Sequence, residues 1–168
     1  MKSKQQLTST TNSMAANKKD NKLAMWVCFL AYLLLLGYAV FFSSGFGREE
    51  HAEYRYNLTL FQEIGRYYGV GIRTGSWRLF WFNVVGNVCV FVPFGAFLPA
   101  LFVKCQKFSS VFLFTLELSL AVEIVQLVTK IGSFDVDDLL LNTIGGILGY
   151  FVYKIMSKKK AKTKKKRK

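Results

Sequence analysis

Histidine and cysteine are scarce in this sequence, which has one histidine and three cysteines among 168 residues. His51 lies outside every long apolar run, so nothing indicates a histidine metal site or a serine triad that uses histidine. Cys28, Cys89 and Cys105 are odd in number and form no CxxC pair, which fits neither a disulfide framework nor a zinc site. We therefore expect no metal and no cofactor.

Acidic residues are also few, because 10 Asp and Glu stand against 23 Lys and Arg, for a net charge of +13. Yet 52% of the residues are hydrophobic and 16% are aromatic. This combination is typical of a small integral membrane protein with basic ends. The dense basic tail directly follows an apolar run, where anionic inner-leaflet lipids attract Lys and Arg. We expect membrane lipids as partners, and no nucleic acid.

Four apolar runs are long enough to cross a bilayer as helices, which takes roughly 20 residues. The first is too long for a signal-peptide core and is followed by a poor cleavage site, so we interpret it as a retained anchor. The predicted fold is an all-α membrane protein. Its predicted spans are residues 23–42, 79–102, 108–128 and 139–156.

The basic residues predict the orientation of these spans. Seventeen of the 23 Lys and Arg residues lie in segment 1–22, in the turn between spans two and three, or from Lys154 onward. The positive-inside rule then places both termini in the cytoplasm. Segments 1–22 and 157–168 have too little apolar area to pack, so we expect a disordered basic N-terminus and a disordered polybasic tail around a membrane domain at 23–156.

The first outer loop contains a pattern that predicts a short amphipathic helix on the membrane surface. Its apolar positions recur at helical spacing: Leu60, Phe61, Ile64, Tyr67 and Tyr68. Four glycines are expected to break this pattern: Gly65, Gly69, Gly71 and Gly75. The aromatic residues that follow, Trp77 and Trp81 among them, are typical of an interfacial belt.

Polar side chains inside the spans are the main indication of function, because ionisable groups in hydrocarbon normally face a bundle interior and mark a functional site. At 1.5 Å per residue, five of them lie within about 12 Å of the outer membrane edge, below an acidic rim formed by Asp135, Asp137 and Asp138. We predict that they form an outward-opening polar pocket that binds a ligand. The predicted ligand-binding residues are Asn83, Asn87, Glu123, Gln126, Asp135, Asp137, Asp138 and Asn142. Glu117 lies deeper and on another helix face, and no partner is assigned to it.

The same residues resemble the signature of the VanZ-like family of small bacterial membrane proteins. The resemblance is carried by Asn83, Asn87, Phe91, Pro93, Gly95, Glu123, Gln126, Phe134, Asp135, Asp137, Asp138, Asn142 and Gly146. Asn57, Leu58 and Phe61 resemble the outer-loop pattern, although Leu60 stands where a proline is common. The resemblance implies a four-span protein of the bacterial cytoplasmic membrane, linked to teicoplanin resistance through the family's namesake, and it implies no assigned reaction.

Several functions stay open at this point. The first is a noncatalytic envelope protein that binds or shields a lipid-linked or cell-wall ligand from a glycopeptide antibiotic. A second is a membrane enzyme with Glu123 as general base and Asp135 or Asp138 as a second carboxylate or cation ligand. A third is a proton-coupled transporter that uses Glu117 and Glu123, for which four spans would have to oligomerise.

Each polar residue also has a structural interpretation. The asparagines and Gln126 are compatible with hydrogen bonds that hold the helices together. The aspartates are compatible with a solvated turn that caps the N-terminus of their own helix. Gly145 and Gly149 are spaced for close helix packing.

Overall fold

A computed structural model describes residues 22–39 and 53–166 of the chain. Its five helices are numbered here in chain order, together with two short strands. The elements are α1 (Lys22–Ala39), β1 (Tyr56–Asn57), α2 (Gln62–Thr74), α3 (Arg78–Leu101), a 3₁₀ turn (Val103–Gln106), α4 (Phe108–Thr129), β2 (Phe134–Asp135) and α5 (Val136–Lys166).

Four of these helices, α1, α3, α4 and α5, are long and apolar enough to cross a membrane. This confirms the predicted all-α membrane fold with four spans. Helix α3 begins and ends one residue earlier than its predicted span, and α4 ends one residue later than its predicted span. The end of the first predicted span, residues 40–42, lies outside the described residues, as do residues 1–21 of the predicted basic N-terminus.

Helix α5 is longer than its predicted span and continues through Lys166. The described part of the predicted disordered tail is therefore helical. Lys and Ala are good helix formers, and adding residues to an existing helix avoids the unfavourable step of nucleation. The span-length apolar part of α5 is Val136–Lys159.

Helix α5 lies directly on α3, with backbone against backbone. A Cβ added to Gly95 would lie 1.8 Å from the Gly146 carbonyl oxygen, and one added to Gly149 would lie 2.0 Å from the Val92 carbonyl oxygen. Such distances are far below van der Waals contact, so side chains at these positions would force the helices apart. The small residues therefore serve packing within the chain, as small residues commonly do between membrane helices.

Helix α1 packs on the other side of α3 through aromatic side chains. The Phe29 ring stacks on Phe94, with centroids 6.3 Å apart, and Trp26 meets Phe102 edge-on at 5.2 Å. The Tyr32 hydroxyl donates to the Val90 carbonyl oxygen at 2.9 Å. Because Trp26 contacts the end of α3, the start of α1 lies at the same end of the bundle as the turn Val103–Gln106.

The opposite end of the bundle is covered by residues 53–77, the described part of the connection between α1 and α3. Helix α2 runs through three of the glycines that were expected to interrupt it and ends at the fourth, Gly75, which has a left-handed φ of 72°. Gly71 is required for packing, because a Cβ there would lie 2.7 Å from the Trp77 ring. The helix is present, and its position at a membrane surface stays a prediction.

Candidate functional site

The acidic residues at the start of α5 are tied to the covering segment by a short parallel strand pair. Tyr56 pairs with Phe134 and Asn57 pairs with Asp135. The Asn57 side-chain amide donates to Asp135 Oδ1 at 3.1 Å, and Asn57 Oδ1 accepts from the Thr59 backbone N–H at 2.9 Å. Asn57 thus links the loop before α2 to the acidic sequence before α5.

Asp137 caps helix α2, which is 63 to 75 positions earlier in the chain. One of its carboxylate oxygens accepts the Phe61 N–H at 2.5 Å, and the other accepts the N–H groups of Glu63 and Ile64 at 2.9 and 3.2 Å. These N–H groups at the start of α2 have no partner within their own helix, and a negative charge there is attracted to the positive end of the helix dipole. The Asp137 side chain is 1% exposed. The interpretation that an aspartate caps its own helix is confirmed for Asp135, whose side chain directly before α5 accepts the Asp137 N–H, whereas the contact of Asp137 with α2 was not predicted.

Glu123 on α4 belongs to the same hydrogen-bond network as Asp135 and Asp137. Its Oε2 accepts the Asp135 backbone N–H at 2.9 Å, and the Glu123 side chain is completely buried. Asp135 Oδ1 in turn accepts the Asp137 N–H at 2.8 Å. A continuous path of hydrogen bonds therefore leads from α4 through the β2 segment to the first turn of α2.

Two asparagines connect the remaining helices. The Asn87 side chain of α3 donates to Asp138 Oδ1 at 2.5 Å, and the Asn142 side chain of α5 donates to Ser119 Oγ of α4 at 2.9 Å. Gln126 is fully buried on the same face of α4 as Ser119 and Glu123. We call the set Glu123, Asp135, Asp137 and Asp138 the acidic clasp.

Asn83 differs from the other predicted ligand-binding residues. Although it is buried, its side-chain amide donates to the Leu79 carbonyl oxygen of its own helix at 2.9 Å. It lies in the π-helical turn Trp81–Val85, where the widened turn leaves carbonyl groups open to such bonds. The structure therefore brings seven of the eight predicted residues into one buried region at one end of the bundle and gives Asn83 a local bond.

The electrostatic setting of the clasp is acidic. Burial raises the pKa of the Asp135 carboxyl, while hydrogen bonds from the Asp137 N–H and the Asn57 amide oppose that shift. Burial also raises the pKa of Tyr67 on α2, and the negative charges of Glu63 and Asp138 add to the effect. Arg66 on α2 forms an ion pair with Glu63.

The predicted pocket residues are largely enclosed rather than lining an open cleft. Glu123 and Gln126 are 0% exposed, Asp135 and Asp137 are buried as well, and Asp138 is half-buried. The covering segment of Asn57 and α2 lies over them through the bonds described above. Within residues 22–39 and 53–166, no three His, Cys, Asp or Glu side chains are grouped to hold a metal ion.

Sequence reasoning left three polar residues out of the predicted site. Asn57 is a direct partner of Asp135, and its only signal was its place in the outer-loop pattern. Ser119 and Thr115 lie one and two turns from Glu123 on the same face of α4, and both are fully buried. Thr115, Ser119 and Glu123 are spaced four residues apart in the sequence. Because hydroxyl side chains are common in membrane helices, this spacing did not identify Thr115 and Ser119 as site residues.

These features define a class of protein: a four-helix membrane bundle in which an acidic clasp fastens a short additional helix, α2, to the last span. The profile of the VanZ/LLP1 family matches residues 29–157, and the chain belongs to this family. It is also similar to Protein VanZ of Enterococcus faecium, with 40% identity over 85 residues. That match covers 51% of this chain and 50% of the relative, so it spans about half of the relative's length. No solved structure matches the chain.

Proposed function

We propose that this VanZ-like protein lies in the bacterial cytoplasmic membrane with both ends inside and the acidic clasp facing outward. In this proposal the clasp end binds the polar part of a lipid-linked or cell-wall ligand. Binding or shielding that ligand lowers susceptibility to teicoplanin-type glycopeptides. The basic residues at the other end contact anionic inner-leaflet lipids.

The observation that carries the proposal is the attachment of a short helix, α2, to buried carboxylates. The carboxylate oxygens of Asp135 and Asp137 accept hydrogen bonds from Asn57 and from the start of α2. A ligand with hydroxyl, amide or ammonium donors competes for the same oxygens and opens the covering segment. Carboxylates repel phosphate, so the recognised part is the sugar or peptide of a precursor rather than its phosphate.

The geometry gives less support to the enzyme alternative. A general base must come within hydrogen-bond reach of the proton that it removes. Glu123 is completely buried, and its Oε2 accepts a backbone N–H. Asp137 uses both oxygens for capping. The transporter alternative needs Glu117 and Glu123 on one path, whereas Glu117 is exposed on the outside of α4 and Glu123 is buried.

The functional test is expression of the chain in a teicoplanin-susceptible Gram-positive host. The expected result is a higher minimal inhibitory concentration for the wild type and loss of that increase for Asp135→Asn. This variant removes the charge but keeps an oxygen that can accept from Asn57. Glu53→Gln, which removes an exposed carboxylate from the same extramembrane segment, is the matched control and should behave like the wild type. No increase with the wild type, or full activity of Asp135→Asn at equal membrane levels, would contradict the proposal.

The orientation is tested separately. Tyr56 is exposed in β1, so Tyr56→Cys in a background without the native cysteines should react with a membrane-impermeant maleimide added to intact cells. Lys158→Cys, in the exposed end of α5, should react only after the cells are opened. The reverse labelling pattern would contradict the proposed sidedness without bearing on the fold.

A further inference from the structure

Glu117 occupies an unusual position in the bundle. It lies nine residues after the start of α4 (Phe108–Thr129), which places it about 14 Å from one end of the helix and about 18 Å from the other. Its side chain is exposed on the outer surface of the bundle. In a bilayer this carboxyl group therefore faces the middle of the hydrocarbon layer, too deep for its short side chain to reach either interface.

The surroundings of Glu117 on α4 are apolar. Leu113, Phe114, Leu120 and Ala121 lie three or four positions away, on the same helix face, and all are exposed. Within residues 22–39 and 53–166 no side chain forms an ion pair or hydrogen bond with Glu117. A charged side chain at the centre of a bilayer costs at least about 2.5 to 3.5 kcal/mol, so acidic residues in spans are almost always paired.

We propose that the exposed face of α4 around Glu117 is the interface with a second copy of this chain. A protonated carboxyl group both donates and accepts one hydrogen bond, so it is complementary to itself. Two-fold symmetry brings the same residue from each protomer to the axis, where two Glu117 side chains satisfy each other. Ala121, one turn along the face, is small enough for the two helices to approach closely.

The chain itself argues for a carboxyl pair rather than an ion pair at this contact. The runs 23–42, 79–103, 108–129 and 139–153 contain no Lys or Arg. A second copy therefore cannot offer a cation at the depth of Glu117. A basic partner would have to be a different protein, and this is an outcome of the experiments below.

The first experiment measures the mass of the protein in lipid nanodiscs or mild detergent. The wild type is expected to be a dimer, and Glu117→Gln should remain one because a carboxamide also donates and accepts. Glu117→Leu, which keeps the apolar face and removes the polar contact, is expected to be mainly monomeric with unchanged helix content. A monomeric wild type, or a Glu117→Leu variant that dimerises as well as the wild type, would overturn the proposal.

The second experiment locates the contact by disulfide crosslinking in native membranes. Cys28 and Cys89 are exposed and Cys105 is buried, so all three are replaced first. Ala121→Cys should then form a crosslinked dimer of the chain. Ile144 is exposed on α5 near the depth of Glu117, so Ile144→Cys is the control and should not. Equal crosslinking at both sites, or crosslinking of Ala121→Cys only to another protein, would contradict a contact between copies.

Discussion

Removal of the Asp137 carboxylate is the most direct test of how the clasp holds the molecule together. Asp137→Ala leaves three N–H groups, those of Phe61, Glu63 and Ile64, without their acceptor. Loss of a helix cap typically costs about 0.5 to 2 kcal/mol, and hydrogen bonds to a charged group are worth about 1.5 to 3 kcal/mol. Because the three bonds share one side chain, we expect α2 to open more easily by about 2 to 3 kcal/mol.

Amide hydrogen exchange measures this effect locally. Free-energy differences of that size correspond to roughly 30- to 150-fold faster exchange in α2, since about 1.4 kcal/mol is a factor of ten. Exchange in α4 should change much less, because the hydrogen bonds from α4 lead to Asp137 indirectly, through Asp135. Asp137→Asn retains one acceptor oxygen and should fall between the wild type and Asp137→Ala. Unchanged protection of α2 in Asp137→Ala would refute the capping role.

Three further predictions concern packing, a buried hydroxyl and pH. Gly145→Ala would put a Cβ 2.2 Å from the Val88 carbonyl oxygen, so we expect a loss of stability of about 1 to 3 kcal/mol in thermal unfolding. Gly65→Ala, which meets nothing within 4 Å and places a better helix former in α2, should be at least as stable as the wild type. The Thr115 hydroxyl is buried without a hydrogen-bond partner among the described residues, so Thr115→Val should raise the unfolding temperature, and a decrease would reveal a bound water or ligand. Burial raises the pKa of Asp135, so between the usual aspartate pKa of about 3.9 and the raised value the folded state binds more protons than the unfolded state. The free energy of unfolding should therefore fall as pH rises through this range. Asp135→Asn should lose this pH dependence, and an equal pH dependence in both proteins would assign it to other groups.

The spans could be predicted because hydropathy over 20 residues depends only on local composition. The ends of α3 and α4 fell within one residue of their predicted positions. The extension of α5 through Lys166 was missed because composition alone predicts disorder for a run of lysines. A preformed helix changes that balance, since each new residue adds a backbone hydrogen bond without a new nucleus.

Parts of the candidate site could be predicted in the same way. Depth in the membrane follows from residue count, and helix periodicity gives the face, so Asn87, Glu123 and Asn142 were expected at one level and on inward faces. The structure buries all three. Their roles as ligand-binding residues remain predictions.

The partners within the site could not be predicted. Asp137 contacts α2 across more than 70 positions, and Asn57 contacts Asp135 across 78. Such pairings depend on how the covering segment folds over the bundle, which periodicity does not determine. Asn83 shows the opposite case, because it shares a face with Asn87 yet bonds to its own helix in a π-helical turn.

The position of the α2 cap also has a consequence for how the protein is made. Residues 61–64 leave the ribosome more than 70 residues before Asp137, and short helices without a cap are marginal in water. Helix α2 therefore has no cap until Asp137, at the start of the last hydrophobic segment, has been synthesised and has reached it. Nascent chains stopped before residue 134 should leave this region sensitive to protease, whereas chains that include the final segment should protect it.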